Sequence, residues 1–102
     1  MIEIKEEQLD MFAEKEFGIL YLYTPFCGTC QLAKKMLSVV EELLPALAIH
    51  TANLNFLPKQ AKEWGIESVP CLLIFENGAV THKKYAFHSV EHIYQILKEY
   101  AA

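Results

Sequence analysis

Two short apolar runs govern what this chain can become. Gly18-Ile19-Leu20-Tyr21-Leu22-Tyr23 and Cys71-Leu72-Leu73-Ile74-Phe75 carry no charge and are rich in β-formers. A strand that is apolar at every position has no face to give to water, so both are read as buried strands, the second as a central one. The material that covers them is also visible. Leu32, Ala33, Met36, Leu37, Val40, Leu43 and Leu44 recur at helical spacing from Gly28 to Leu44, and Pro45 stops the pattern. Val90, Ile93, Tyr94, Leu97 and Tyr100 predict a last amphipathic helix.

The remaining elements fall between these. Leu9, Phe12 and Ala13 predict a helix over 6–15, with Gly18 as its stop, and Pro58 opens a short helix ending at Gly65. Residues 47–53 suit a strand, and Ile2 and Ile4 a short first one. Asn77-Gly78 predicts a hairpin into a returning strand over 79–85, where Lys83 and Lys84 blunt an edge. Strands joined through helices require a parallel portion, and the hairpin adds an antiparallel one. The expectation is one α/β domain over 1–102, a mixed sheet covered by helices.

Composition removes several functional classes. All nine basic residues are lysines, so bidentate phosphate or base-edge readout has no natural agent, and nucleic acid is excluded as a partner. The N-terminal 17 residues interleave charges and hold no apolar signal core, and the longest uncharged stretches are broken by Pro, Gly, Thr and Asn. A soluble, cytoplasmic, monomeric protein is expected, without a membrane partner. Three cysteines are too few for a disulfide scaffold, and in such a compartment they face a reducing pool.

Position divides those cysteines. Cys27-Gly28-Thr29-Cys30 stands where a buried strand passes into a helix. Sulfur at a helix N-terminus meets unpaired backbone N–H groups and the positive dipole end, and both favour thiolate over thiol. The i, i+3 spacing puts the two sulfurs on one face, within reach of a disulfide. Gly28 leaves Cys27 uncovered for attack, while Cys30, one turn inside, is placed to resolve a mixed disulfide. Cys71, at the head of a central strand, reads as a small core hydrophobe, with a third redox thiol as the sharper alternative. A zinc site built from Cys27, Cys30, His88 and His92 is set aside because the halves are far apart in sequence, so no metal is expected. His50 and His82 have no partner in sequence. Lys34 and Lys35 read as a solvated face, Lys34 with a minor option of adding positive potential near the thiolates.

These residues together resemble the thioredoxin family. The resemblance runs over nearly the whole chain: the apolar strand, Phe26-Cys27-Gly28-Thr29-Cys30, then Trp64-Gly65-Ile66-Glu67-Ser68-Val69-Pro70, the second apolar run, and Asn77-Gly78. It implies a thioredoxin-like fold, a four- or five-stranded mixed sheet with helices on both faces, and a cis Val69–Pro70 bond beside the cysteines. It also implies a thiol–disulfide oxidoreductase that reduces protein disulfides through Cys27 and Cys30. Pro25, Phe26, Val69, Pro70 and Trp64 would form the docking rim, with the backbone of Val69 pairing an extended substrate segment. The implied partners are disulfide-bearing proteins and a thiol or reductase electron donor. No cofactor is implied, because the cysteines carry the electrons. The alternatives are a redox-sensing adaptor without turnover, and an oxidase or isomerase using the same couple.

The chain departs from the family pattern at three places. Phe26 and Thr29 stand where Trp and Pro are usual, and Thr29 adds a hydroxyl and a backbone N–H that would make the couple more oxidising than a CGPC motif. Tyr21 stands where many thioredoxins carry a buried Asp, and a phenol of pKa about 10 is a poor base near neutrality. No lysine matches the family's partner of that Asp, the region reading Thr51-Ala52-Asn53. Tyr85-Ala86-Phe87 stands where a glycine-bearing loop is usual, and would narrow the groove.

Overall fold

Alternation within the apolar runs decides how the two faces of the sheet are filled. The computed structural model describes residues 1–101. It contains β1 (Ile2–Glu3), β2 (Phe17–Tyr23), α1 (Gly28–Leu43), β3 (Ile49–Asn53), α2 (Pro58–Glu63), β4 (Cys71–Glu76), β5 (Ala79–Lys84) and α3 (Val90–Leu97), with 3-10 turns over Glu6–Glu14, Leu54–Phe56 and Lys98–Tyr100. The five strands form one sheet in the order β1-β3-β2-β4-β5. β3 runs parallel to both β1 and β2, while β4 is antiparallel to β2 and β5. The mixed α/β architecture expected from the sequence is therefore observed.

Successive side chains on a strand point to opposite faces. Ile19 and Tyr21 of β2, with Leu72 and Ile74 of β4, join Ala33, Leu37 and Val40 of α1 and Ile93 and Leu97 of α3 in one buried cluster. Leu20 and Leu22, with Cys71, Leu73 and Phe75, form the other beneath Ile4, Phe12 and Leu57. Each central strand is thus buried on both sides, as its unbroken hydrophobicity requires.

Three local readings change. Gly18 is not a helix stop: it lies inside β2, where a Cβ would collide with the Phe12 ring. Glycine there lets the N-terminal segment close over the sheet. The strand expected over 47–53 begins at Ile49. Leu32 and Leu43, assigned to the core stripe of α1, are each 56% exposed, because the buried face is the narrower set Cys30, Ala33, Leu37 and Val40. At the hairpin, Asn77 and Gly78 take φ of 52° and 85°, the left-handed pair that a two-residue turn needs. Among the described residues, no helix is long and apolar enough to cross a membrane.

Candidate active site

The C-terminal end of central strand β2 delivers the chain directly into α1, and Cys27 is the residue at the junction. It caps the helix: extended at φ −138°, it accepts the Cys30 backbone N–H on Sγ at 3.1 Å. Sulfur thus occupies the place usually held by a Ser or Asp oxygen. The Thr29 hydroxyl lies 3.4 Å from the same sulfur. Cys27 and Cys30 are joined as a disulfide with Cα atoms 5.2 Å apart. Cys27 is half-buried and Cys30 only 3% exposed, so the two sulfurs differ sharply in access. Phe26, immediately before the pair, is fully exposed.

Beside the disulfide, Val69–Pro70 is a cis peptide bond. Pro70 lines a groove of about 340 Å³ whose walls include Thr29, Leu32, Met36, Tyr85, Phe87 and His88. Tyr85 and Phe87 form part of this wall, as the loop sequence led one to expect. Leu32, Met36 and His88 were missed, the first two because helical periodicity assigned them to the core. For His88 the only signal would have been its position before the Ser89 cap of α3; it holds φ of 60° and stacks edge-on against His92, with ring centroids 4.7 Å apart. Among the described residues, no group of three or more His, Cys, Asp or Glu is arranged to hold a metal.

A second pocket, about 180 Å³, opens on the other flank of Cys30. Tyr21, Tyr23, Thr24, Pro25, Gln31 and Lys34 complete its lining. Tyr21 is fully buried and its hydroxyl donates to the Cys30 carbonyl at 2.5 Å. Burial, with a smaller push from Tyr23, holds this phenol far above its ordinary pKa. It is therefore a locked donor that ties the first turn of α1 to β2, and it accepts no proton from Cys30. Tyr23 donates to both carboxylate oxygens of Glu3 at 2.9 Å; burial and that carboxylate push its pKa up to about 12.

The other candidates are dispersed. Val69 packs half-buried on the second cluster with Trp64, whose ring lies edge-on to Phe75 at 5.5 Å. Phe75 is four residues along β4 from Cys71, so Trp64 packs, partly buried, against the cluster there and is not among the residues lining the groove. Cys71 is a free, fully buried thiol; burial pushes its pKa up to about 11, against weaker opposing effects of Lys83 and Tyr85. Such a thiol stays neutral and inert near neutral pH. His50 lies edge-on to Phe12 with Nδ1 unpaired, and His82 approaches Glu76 at 3.6 Å.

Comparison with known proteins agrees with this arrangement. The thioredoxin family model matches residues 2–99. The chain is 52% identical over 99 residues to the thioredoxin-like protein YusE of Bacillus subtilis (strain 168), covering 97% of this chain and 92% of that one. It is 21% identical over 98 residues to a thioredoxin of Chlamydia pneumoniae, covering 96% of each. The solution structure of the oxidised thioredoxin from Plasmodium falciparum matches with a TM-score of 0.82 at 14% identity, covering 100% of this chain and 99% of that one. A mutant thioredoxin from Halobacterium salinarum NRC-1 matches equally well, at 0.82 and 16% identity, over 99% of this chain and 90% of that one.

Proposed function

Because the chain belongs to the thioredoxin family and is a thiol–disulfide oxidoreductase, we propose that it reduces protein disulfides, with Cys27 attacking and Cys30 resolving. The unequal access of the two sulfurs supports this division of labour: the outer one caps a helix, and the inner one lies beneath it. In the forward half-reaction the Cys27 thiolate attacks one sulfur of a substrate disulfide. The other substrate sulfur leaves as a thiolate and takes a proton from solvent. Cys30 then loses its proton and attacks Cys27 Sγ, which frees the second substrate thiol and leaves Cys27–Cys30 oxidised. Two electrons pass to the substrate, and a dithiol donor returns them by the same exchange in reverse.

The surroundings favour these steps. The Cys30 amide and the Thr29 hydroxyl offer hydrogen bonds that a Cys27 thiolate accepts better than a disulfide does. With Tyr21 locked as a donor, the Cys30 proton leaves into the pocket lined by Gln31 and Lys34. Pro25, Phe26, Val69 and Pro70 form the docking rim, with Val69 offering its backbone to an extended segment. The substrates are proteins, the working form is a monomer, and the compartment is the reducing cytoplasm.

A Cys30→Ser variant tests the assignment. Disulfide-bonded substrates should accumulate on Cys27 and be released by dithiol, while Cys27→Ser traps nothing and has no turnover. Trapping on Cys30 in the Cys27→Ser variant, or turnover that survives loss of Cys27, would overturn it.

A further inference from the structure

α1 carries more apolar surface than the core consumes. Leu32, Val39 and Leu43 are 56%, 42% and 56% exposed, with half-buried Met36 between the first two. Their spacing is four, three and four residues, so at 3.6 residues per turn the four side chains fall within an arc of about 60°. That is the seam spacing of a two-stranded coiled coil. A single exposed leucine is ordinary on a protein surface. Four apolar residues in register along three turns form a stripe that water covers at a cost.

The charges beside the seam select what covers it. Lys35 and Glu42 are exposed and lie two turns apart along one edge of the stripe, and neither takes part in an ion pair among the described residues. A parallel copy of α1 would carry this edge to the opposite side of the seam, so that Lys35 and Glu42 would find no partner there across it. An antiparallel copy instead brings Lys35 to the partner's Glu42, and Glu42 to the partner's Lys35. The same two-fold axis pairs Leu32 with the partner's Leu43 and Met36 with the partner's Val39, since both pairs are centred between Leu37 and Ser38. The charged pair is centred one residue further on, which leaves Lys35 and the partner's Glu42 about 3 Å apart along the axis, within the reach of these long side chains.

We propose that this flank of α1 is a self-complementary interface through which two copies of the chain associate reversibly, antiparallel, in a two-fold dimer. The seam spans only about 16 Å, so the interface belongs to the small, transient class. Its Kd falls between about 10 µM and 1 mM. Leu32 and Met36 also line the groove beside Thr29 and Pro70. Pro70 of the docking rim lines that same groove, so dimer and docked substrate crowd one another and the dimer is a resting form, which rests on the docking rim proposed above.

Sedimentation equilibrium of the oxidised full chain, from about 5 µM to 1 mM, tests the interface without any activity readout. The weight-average mass should climb from 11.7 kDa towards twice that value. Val39→Glu and Leu43→Glu should hold it at the monomer, with circular dichroism and Tm unchanged. Lys35→Glu alone and Glu42→Lys alone should each weaken association about 3- to 10-fold, and the double reversal should recover it. A constant 11.7 kDa would overturn the proposal, as would association that Val39→Glu leaves intact. Failure of the double reversal to recover would overturn the antiparallel arrangement. Turnover per chain should fall with concentration in the wild type and stay level in Val39→Glu. A level wild-type profile, once association is measured, removes the competition with substrate alone.

Discussion

Replacing Thr29 by valine removes one hydroxyl and little else, which makes it a sharp probe of how the helix end sets the redox balance. The hydroxyl stands 3.4 Å from Cys27 Sγ on an exposed residue. A hydrogen bond to a charged acceptor is worth roughly 1.5–3 kcal/mol, and the long distance and competing water bring this one to about 1 kcal/mol. That energy acts on the reduced form, where the thiolate is an acceptor, far more than on the disulfide. Its loss in Thr29→Val raises the midpoint of Cys27 ionisation by about 0.7 pH unit. It lowers the potential of the two-electron couple by about 20 mV, making the protein a stronger reductant. Thr29→Pro should go further, because it also strips a backbone N–H from the first turn. Equilibration with graded glutathione buffers, alkylation of free thiols and mass analysis reads the fraction reduced. The wild type should lie above the roughly −270 mV of thioredoxin itself. A Thr29→Val potential equal to or higher than the wild type's would refute the reasoning, because the hydroxyl would then favour the disulfide.

Other expectations concern stability. Tyr21→Phe keeps the ring and deletes the bond to the Cys30 carbonyl; calorimetry should show a loss of about 1 kcal/mol, or roughly 4–8 °C in Tm. The pH profile of turnover should not move in that variant, since the phenol transfers no proton. The Cys71 thiol is pushed from 9.0 to about 11 by burial, so between these values the unfolded chain has lost a proton that the native chain keeps. Stability of the oxidised protein should therefore fall as pH rises from 9 towards 11, by about 2–3 kcal/mol, and Cys71→Ala should flatten that limb in urea titrations. Burial pulls the His50 pKa below its usual 6.5, so its contribution is present above that pH and is lost as pH falls below it. Acid melting curves of His50→Phe should be less steep; an identical pH dependence would show that His50 is not responsible.

Much of this was legible in the sequence where one physical demand dominates. Continuous hydrophobicity at Ile19–Leu22 and Leu72–Phe75 leaves no option except burial on both faces, and Asn77-Gly78 has few uses other than a tight turn. The cysteine spacing and its strand-to-helix position located the redox pair directly. Properties set by distant neighbours were harder to see. Gly18 looked like a stop because glycine ends helices, whereas the Phe12 ring pressing on it is visible only after folding. Periodicity could not tell the core side of α1 from its exposed flank, so Leu32 and Leu43 were assigned to the interior. Trp64 was assigned to the docking rim through the resemblance of the Trp64–Pro70 segment, and its packing edge-on to Phe75 depends on a strand that follows it in the chain. The substitution at Tyr21 was evident, but its bond to Cys30 depends on the depth at which α1 settles on β2.

The position of β2 has a consequence for how the cysteines are presented. This strand is bonded on both edges, to β3 and β4, and its residues from Gly18 to Leu22 are buried. Amides in such a strand open only with the whole domain, so they should be among the last to exchange with deuterated solvent. Cys27 follows the end of that strand by four residues, and Tyr21 fastens the next turn back to it. The Cys27 sulfur, only half-buried, is thus anchored to the part of the molecule expected to exchange most slowly. Its orientation is settled when the chain folds, and each encounter with a disulfide inherits that order without a further loss of backbone entropy.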